Sequence, residues 1–428
     1  MTKLTHYRLS ELYNISSGIS SKPSQAGHGY PFCSFSTVFN NMYLPETLPD
    51  LMDTSIQERI TYSIMEGDVF LTRTSETVEE LGMSAVAVKD YPNATYSGFV
   101  KRLRPISDRT YPKFMALVFR SRNFRKAVTN KAVMTLRASF NEETFNDICV
   151  YLPPMEFQKQ IGDLFYDIEC KKRINDAICS DLEAMAKLLY TYWFVQFDFP
   201  DENGKPYKSS GRKMVWNEQL KREIPEGWRV ISFVDCIESI NTGLNPRDNF
   251  ILNTGGTIKY LTVKNLTKEG TIDFSSCDYV DEDARAIIHR RSDIQIGDVL
   301  FASIAPLGRC YIIMNPPTDW DINESVFSIR PNKENMTSAF LYMSFTSDSF
   351  IKKAEGSSTG SVFKGIRIAT LQGMQTLLPP KSILDRFEEQ VRPLFVRKAL
   401  AIEENQQLSS LRDFLLPMLM NGQVTIGQ

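Results

Sequence analysis

The sequence predicts an α+β protein made of two copies of one domain, each copy followed by a long helix. The chain matches itself at a spacing of 226 residues, at FMALVFRSRNFRK from Phe114 with FLYMSFTSDSFIKK from Phe340, and at LPPMEFQKQ from Leu152 with LPPKSILDRFEEQ from Leu378. Short β-like runs precede each Leu-Pro-Pro, and a long stretch without internal turn signals follows the first. A long repeat that occurs only twice indicates duplication of a whole domain rather than a solenoid.

The composition is that of a globular protein with more than one domain. The chain has 428 residues, which is more than one ordinary core holds, so two or three domains are expected. A hydrophobic share of 42% and a charged share of 23% exclude a disordered chain. No apolar run is long enough to span a membrane, and the N-terminal MTKLTHYRLS lacks the apolar core of a signal peptide. We therefore expect a cytoplasmic protein without membrane contact.

The cysteines and histidines form no metal-binding pattern. The seven cysteines are scattered and include no C-x-x-C pair, and the three histidines lie far apart in sequence. This spacing predicts neither a disulfide framework nor a metal site.

The part of each copy that precedes Pro-Pro is rich in short β-like runs. They are DVFLTRT, SAVAVKD and SGFVKRL in the first copy, and TIKYLTV, DVLFASI, RCYIIM and SVFSIR in the second. Clusters of Gly, Pro, Asn and Asp separate them, as in a domain of small strands. We predict one such domain over residues 1–152 and the other over residues 228–378, and we name them the first head and the second head.

A long helix is expected after each Pro-Pro pair, within residues 153–195 and 379–428, because the pair favours a helix start directly after it. Heptad spacing indicates a coiled-coil-like seam in which the two equivalent helices pair, with one polar residue setting the register. Two amphipathic helices that pack on their own domains are the alternative. Pro393 is expected to kink the second helix or delay its start. The predicted seam residues are Ile161, Ile168, Asn175, Leu182, Leu189, Phe387, Leu394, Leu408 and Leu415.

Residues 196–227 connect the two copies. This segment is rich in Gly, Pro, Ser and charge, which predicts an exposed connector or a short hairpin.

A basic stripe runs through the first head although the net charge is only −2. Asp108 is the one acid among eleven basic residues, and this imbalance favours a surface for a polyanion over a solvated helix face, which is the alternative. The basic residues are Lys101, Arg102, Arg104, Arg109, Lys113, Arg120, Arg122, Arg125, Lys126, Lys131 and Arg137.

Taken in order, these segments resemble the DNA-specificity (S) subunits of type I restriction–modification systems. The resemblance lies in LPPMEFQKQI with LEAMAKLLYTYWFVQFDF, the connector through IPEGW, LPPKSILDRFEEQ with LSSLRDFLLPMLMNGQ, the two GDV turns, and GSSTGSVFKGI. It implies two target-recognition domains, here the heads, separated by two long antiparallel helices. Each head is expected to read one half of a bipartite DNA site. The helices would set the spacing, since about 35 residues give roughly 50 Å, against about 34 Å for one DNA turn.

Reading a sequence requires base-edge donors and acceptors with phosphate anchors beside them. We expect Arg73 to be the best candidate for a bidentate guanine contact, and ordinary surface polarity is the alternative for any single loop residue. The other candidates in the first head are Ser36, Thr37, Thr72, Thr74, Lys101, Arg102, Arg104, Arg120, Arg122, Arg125, Lys126 and Lys131. Those in the second head are Lys264, Asn265, His289, Arg290, Arg291, Lys352, Lys353, Ser357, Ser358, Lys364 and Arg367.

The motifs of catalysis are missing or incomplete. NPPT at Asn315 resembles the Asn-Pro-Pro-aromatic loop of adenine methyltransferases, but Thr318 replaces the aromatic residue and no glycine-rich strand–turn–helix precedes it. GSSTGSVFKG has the glycines of an ATP-binding loop without its Gly-Lys-Ser/Thr ending. We expect a targeting subunit without catalytic residues.

The resemblance implies that partners perform the chemistry. Two methylation subunits would use S-adenosylmethionine, and restriction subunits would use ATP with Mg²⁺. Trp193, Phe194 and Phe197 are the predicted docking residues, with packing onto the connector as the alternative. Two other functions stay open: an S-like subunit of a related phage-defence system, and a two-headed adaptor that binds protein instead of DNA.

Overall fold

The structure, a computed structural model, describes residues 4–20, 22–75, 81–131, 133–134, 138–139, 142–357 and 365–420. The chain divides into two compact units, of which the first comprises residues 1–172 and 408–428 and the second residues 173–407. Each unit therefore holds one head and part of both long helices. No helix within the described ranges is long and apolar enough to cross a membrane.

The first unit contains both strands and helices. Its strands are β1 (Thr5–Arg8), β2 (Tyr13–Ser17), β3 (Ala26–Cys33), β4 (Asp50–Met52), β5 (Val69–Thr72), β6 (Thr74–Ser75), β7 (Ser84–Val86), β8 (Thr95–Tyr96), β9 (Val100–Pro105), β10 (Val133–Met134), β11 (Ala138–Ser139) and β12 (Cys149–Leu152). Its helices are α1 (Leu9–Leu12), α2 (Phe35–Asn40), α3 (Ile56–Thr61), α4 (Pro112–Arg120), α5 (Arg122–Lys131), α6 (Glu142–Asp147) and the start of α7 (Met155–Tyr190), with a 3-10 turn at Pro23–Gln25.

The second unit has the remaining elements. Its strands are β13 (Met214–Asn217), β14 (Arg222–Pro225), β15 (Arg229–Ser232), β16 (Ile237–Thr242), β17 (Ile258–Leu261), β18 (Asp278–Val280), β19 (Val299–Ala302), β20 (Cys310–Ile312), β21 (Trp320–Ile322), β22 (Val326–Pro331) and β23 (Gln375–Leu378). Its helices are α8 (Glu282–Ser292), α9 (Ser338–Thr346), α10 (Asp348–Gly356), α11 (Ile368–Gly373) and most of α12 (Lys381–Met420), with a π-helical turn at Thr191–Val195 and 3-10 turns at Phe233–Asp235, Val263–Asn265 and Phe274–Ser276.

The two heads have the same sheet topology. An antiparallel four-stranded sheet has the order β2-β9-β5-β7 in the first head and β16-β22-β19-β20 in the second. A three-stranded sheet combines one antiparallel and one parallel pair, β4-β3-β8 and β18-β17-β21. The first and last strands of each head also pair, β1 with β12 and β15 with β23. This correspondence confirms the predicted α+β class with two similar domains.

Each four-stranded sheet is buried on both faces. Successive strand residues point to opposite sides, so Val69 and Leu71 join one core of the first head while Phe70 joins the other. In β19, Phe301 and Leu300 are divided between two cores in the same way. This explains why both GDV segments continue into uninterrupted apolar runs instead of alternating with polar residues.

The two long helices run antiparallel. In the first unit, Arg412 Nη1 donates to Glu169 Oε1 at 3.0 Å. In the second unit, Asn175 Nδ2 donates to Glu404 Oε2 at 2.8 Å, and Lys398 Nζ donates to Glu183 Oε2 at 2.9 Å. Residue numbers on one helix fall as those on the other rise, which is the antiparallel pairing that the resemblance implies.

The predicted seam residues are all at least partly buried, and their pairing across the two helices stays a prediction. Ile161, Ile168, Asn175 and Phe387 are buried, and the other five are half-buried. Ile161, Ile168, Leu408 and Leu415 also belong to the core of the first head, so the helices pack on that head as well as on each other.

Pro393 does not delay the second helix, which begins at Lys381 directly after Pro380 and includes Pro393 in its interior. The predicted delay of the helix start was wrong, and the alternative, a kink at Pro393, stays a prediction. Pro393 is exposed, so the carbonyl that loses its helical partner can bond to water, while Val391 and Phe395 beside it are buried in the core.

The connector forms the hairpin that was one of its two predicted conformations. Strands β13 and β14 pair antiparallel over Met214–Asn217 and Arg222–Pro225. Before the hairpin, Arg212 makes a two-nitrogen contact with Asp201, at 2.8 and 2.6 Å.

Candidate nucleic-acid interface

At one end of the four-stranded sheet of the first head, a hydroxyl group and a basic side chain lie together. Ser17, the last residue of β2, lies opposite Lys101 in β9. Lys101 Nζ donates to Ser17 Oγ at 2.7 Å. On the other side of β9, Leu71 of β5 pairs with Lys101, so the loop that leaves β5 starts at this same end of the sheet.

Arg73 and Phe99 extend this sheet end. The backbone N–H of Arg73 donates to the carbonyl of Phe99 at 2.9 Å, which ties the two loops together. Arg73 is exposed, and Phe99 is 63% exposed. A Cβ at Gly18 would lie 2.4 Å from the carbonyl oxygens of Ser97 and Tyr96, so glycine is needed where these chains meet.

The second head has the same arrangement at the equivalent sheet end. Thr242, the last residue of β16, lies opposite Phe327 in β22, as Ser17 lies opposite Lys101. Arg291 Nε donates to Thr242 Oγ1 at 3.2 Å. A Cβ at Gly243 would lie 1.6 Å from the carbonyl oxygen of Ile322, which again requires glycine. A basic side chain thus reaches the terminal hydroxyl of the edge strand in both heads, from β9 in one and from α8 in the other.

A histidine and a buried carboxylate complete this end of the second head. His289 Nδ1 lies 3.0 Å from Oδ2 of Asp321, which is fully buried in β21. Asp321 Oδ1 also accepts from Ser292 Oγ at 2.5 Å and from the backbone N–H of Ile322 at 2.8 Å. Burial raises the pKa of the Asp321 carboxyl above its ordinary value, and these hydrogen bonds oppose the increase.

The helices after the four-stranded sheets carry exposed basic residues, of which one pair lies at matched positions. Arg122 and Lys126 are exposed on α5. Lys352, which matches Lys126 at the 226-residue spacing, and Lys353 are exposed on α10. These side chains are available to bind phosphate.

Four members of the basic stripe are bonded within the first head instead. Arg120 Nε donates to Ser84 O at 2.8 Å, and its Nη2 reaches three carbonyls of the α2 segment; burial lowers its pKa to about 10. Arg125 donates to the carbonyl of Leu81, and Arg102 to that of Ser63 at 2.7 Å. The prediction that Arg102, Arg120 and Arg125 face DNA is therefore corrected: these guanidinium groups bind backbone carbonyls that α2 and the sheet loops leave free.

Arg104 is the fourth of these basic residues, and its contact recurs in the second head. Arg104 Nε and Nη2 donate to the two oxygens of Asp68 at 2.8 and 2.6 Å. In the second head, Arg330 Nε and Nη2 donate to the two oxygens of Asp298 at 2.8 and 2.9 Å. Each aspartate belongs to a GDV turn, so the turn and the central strand are joined by the same bidentate pair in both heads.

Several predicted polar contact residues are also buried. Thr37 lies in α2 and hydrogen-bonds with Ser34, the residue that caps this helix. Thr72 Oγ1 accepts from the N–H of Met83 at 2.9 Å. Asn265 binds Thr262, Asp273 and Ser276 with both ends of its amide. All three side chains are buried and bond within their own head, so they are not accessible to DNA.

The remaining candidates have mixed placements. Ser36, Arg290, Ser357 and Arg367 are exposed, and Lys264 is exposed with its Nζ 3.5 Å from Asp278 Oδ2. The side chains of Thr74 and Lys131, and the residues Ser358 and Lys364, lie outside the described part of the structure.

The predicted docking residues are not on the surface. Trp193, Phe194 and Phe197 are buried in the core of the second unit, where Phe194 packs edge-on against Phe340 at 4.7 Å between ring centroids. Phe197 packs against Trp228 at the end of the connector. The prediction of docking through these rings is wrong, because the helix end turns them into the core.

Exposed apolar residues recur elsewhere on the long helices, again 226 residues apart. They form three matched pairs, in which the first member lies on α7 and the second on α12. The pairs are Ile174 with Leu400, Met185 with Leu411, and Leu188 with Phe414.

Sequence reasoning missed Phe99, Asp321 and Arg247, an exposed residue five positions after Thr242. For Phe99 the only signal is an apolar residue directly after a Ser-Gly turn. For Asp321 it is an acid inside a strand-like run, WDI. Across the described ranges, no group of histidine, cysteine or acidic residues could hold a metal ion.

Comparison with known proteins identifies the family. The model of the type I restriction modification DNA specificity domain matches residues 1–184 and 225–392. The MjaIX specificity subunit of Methanocaldococcus jannaschii is 22% identical over 394 residues, covering 91% of this chain and 85% of that protein. The HindI specificity subunit of Haemophilus influenzae is 22% identical over 454 residues, covering 93% and 95%.

The fold agrees with that assignment. The crystal structure of a type I restriction–modification S subunit from M. genitalium, 12% identical, matches with a TM-score of 0.61 and covers 98% of this chain and 96% of that one. The family model covers most of both repeats, and the chain belongs to the type I restriction modification DNA specificity family.

Proposed function

We propose that each head reads one half of a bipartite DNA site on behalf of a type I restriction–modification complex. The observation that carries this proposal is the shared sheet end: a hydroxyl that ends an edge strand, with a basic side chain bonded to it, occurs at Ser17 and again at Thr242. Two homologous surfaces on one chain suit a target with two parts.

The roles within each head follow from exposure. Arg122, Lys126, Lys352 and Lys353 anchor phosphates, because they are exposed cations on helices. Arg73 and Arg291 approach base edges from the sheet ends; an arginine with a free pair of nitrogens can bind guanine O6 and N7 together. Lys101, Ser36, Arg290 and Arg367 supply further contacts.

The long helices set the distance between the half-sites. Helix α7 has 36 residues, which correspond to about 54 Å at 1.5 Å per residue. This length exceeds one turn of DNA, about 34 Å. Bases between the half-sites would be spanned without being read.

Two methylation subunits dock on the exposed apolar pairs of the helices. Duplicated surfaces bind two copies of one partner, and Met185 and Leu188 supply one surface while Leu411 and Phe414, at the matched positions, supply the other. In this proposal S-adenosylmethionine binds to the methylation subunits, and ATP with Mg²⁺ to restriction subunits that complete the complex in the cytoplasm. The heads direct that chemistry to DNA.

Filter binding of randomised duplex DNA, with the methylation subunit present, tests the proposal. Repeated selection is expected to enrich two short sequences separated by unselected bases of constant number. Enrichment of a single continuous sequence would contradict the two-headed reading. Failure to retain any duplex, with other proteins captured instead, would support the adaptor alternative.

A further inference from the structure

The second head holds its only histidine in a fixed orientation. When Asp321 is ionised its Oδ2 only accepts, and the His289 nitrogen 3.0 Å away, Nδ1, is then the donor. The carboxylate is fully buried and is itself fixed by Ser292 and the N–H of Ile322. The His289 side chain is 42% exposed, so the imidazole is held from inside and presented outward.

The surroundings of His289 are cationic on the exposed side. His289, Arg290 and Arg291 form the last turn of α8, and both arginines are exposed. The negative end of a helix favours such cations. Arg285, one turn earlier, donates to the carbonyl of Pro317.

Acids also lie on or beside this helix. Asp281 caps α8, and Glu282 and Asp283 lie in its first turn, about two turns before His289. Asp293, which follows α8, accepts from Arg330 Nη1 at 3.0 Å. From the packed strands, β21 contributes Asp321, and β16 contributes Glu238, which is exposed four residues before Thr242. Arg291 donates to Thr242, which ends the strand that corresponds to β2 of the first head.

We propose that His289 donates from Nε2 to a DNA phosphate and that Asp321 is its positioning residue. This inference rests on the proposed function and goes beyond it, because it makes phosphate binding by the second head dependent on pH. Histidine gains its charge between about pH 5 and 8. Only the imidazolium has both nitrogens as donors. Among the described residues of the first head, no carboxylate is bonded to the exposed His28, whose Nδ1 lies 3.3 Å from the carbonyl of Ala26.

The test measures the salt dependence of duplex binding at two pH values. The native chain with its methylation subunit, and the variants His289→Gln, Asp321→Asn and His28→Gln, are titrated with a randomised duplex pool at about pH 6 and about pH 8. One phosphate contact changes the slope of log K against log salt by about 0.9. For the native complex and for H28Q, the magnitude of the slope is expected to be smaller by about 0.9 at the higher pH than at the lower pH.

The variants separate the possible outcomes. H289Q is expected to show the shallower slope at both pH values, and D321N to lose part of the slope at the lower one. H289Q retaining the full native pH dependence would overturn the inference, while duplex binding itself would leave the proposed function standing. Failure of the native complex to bind duplex at either pH would overturn both. Because His289 is partly exposed, H289Q is expected to fold, and its thermal unfolding serves as the check.

Discussion

At the scale of single residues, the arginines of the first head divide by what their guanidinium groups contact. Arg120 and Arg125 bind backbone carbonyls, and burial lowers the pKa of both. Arg104 binds Asp68 with two nitrogens. Arg122 is exposed, as is Lys126. A count of charges along the sequence cannot make this division, since it depends on which carbonyls the fold leaves without a backbone donor.

Arg122→Gln combined with Lys126→Gln is expected to weaken DNA binding without destabilising the fold. Two lost phosphate contacts reduce the salt slope of log K by about 1.8. Filter binding across a salt series measures this. Lys352→Gln with Lys353→Gln is the corresponding test on α10 of the second head and should give a similar reduction. An unchanged slope in the first pair would show that α5 does not face DNA.

Arg120→Gln should act on stability instead. The substitution leaves carbonyls of Val38, Phe39 and Asn41 without their donor, at a cost of about 1–3 kcal/mol in the free energy of unfolding. Urea denaturation measures it, with Arg122→Gln as the exposed control. Equal stability of the two variants would argue against the structural role of Arg120.

Arg330→Met is expected to destabilise the second unit by about 3 kcal/mol, because it leaves the buried carboxylate of Asp298 without its charge partner. Arg104→Met removes the equivalent partner of Asp68 in the first head. The exposed Arg290→Met is the control and should stay within about 0.5 kcal/mol of the native chain. Guanidinium denaturation of the three variants decides whether the duplicated pair is a structural link.

At the scale of elements, the sequence predicts the long helices well and their ends poorly. Pro154 and Pro380 directly precede α7 and α12, as the Pro-Pro rule requires. Pro393 fits inside α12 because it faces solvent. Trp193, Phe194 and Phe197 follow the end of the regular helix, where heptad counting no longer says which way a ring points, and the core of the second unit encloses them.

The pair of Lys398 and Glu183 joins the two helices within the second unit. Both side chains are buried, and Lys398 Nζ also donates to the carbonyl of Glu269 at 2.6 Å. Lys398→Met is expected to cost about 3 kcal/mol, since it removes the buried charge partner of Glu183 and leaves only Lys187, which is half exposed and 3.7 Å away. Adding Glu183→Gln to Lys398→Met should restore part of the lost free energy of unfolding, as measured by urea denaturation. A single variant as stable as the native chain would show that the pair contributes little.

Leu188→Glu should weaken binding of the methylation subunit by about tenfold or more, because it places a charge in a proposed apolar contact. Phe414→Glu, at the matched position, is expected to remove the second copy of the partner. Isothermal titration gives affinity and stoichiometry together. Trp216→Glu, an exposed aromatic of the connector hairpin, is the control and should bind as the native chain does. Full native binding by L188E would exclude this surface.

At the scale of the whole molecule, duplication is the feature that the sequence reveals most directly. The offset of 226 residues is visible at Phe114 and Phe340, and the structure extends it to three sets of paired strands. The candidate site was less predictable. Thr242 and Arg291 are 49 positions apart in sequence, and only the sheet and α8 bring them to 3.2 Å. Loop polarity alone suggested Thr72 and Asn265, which the fold uses internally.

Methylome sequencing of a host that expresses the chain with its methylation subunit tests the central claim most directly, because it records the sequence that the complex selects. The account predicts one bipartite motif, with two short specific parts, a constant number of unread bases between them, and a methylated adenine in each part. A motif with one continuous specific sequence, or new methylation without any motif, would contradict it.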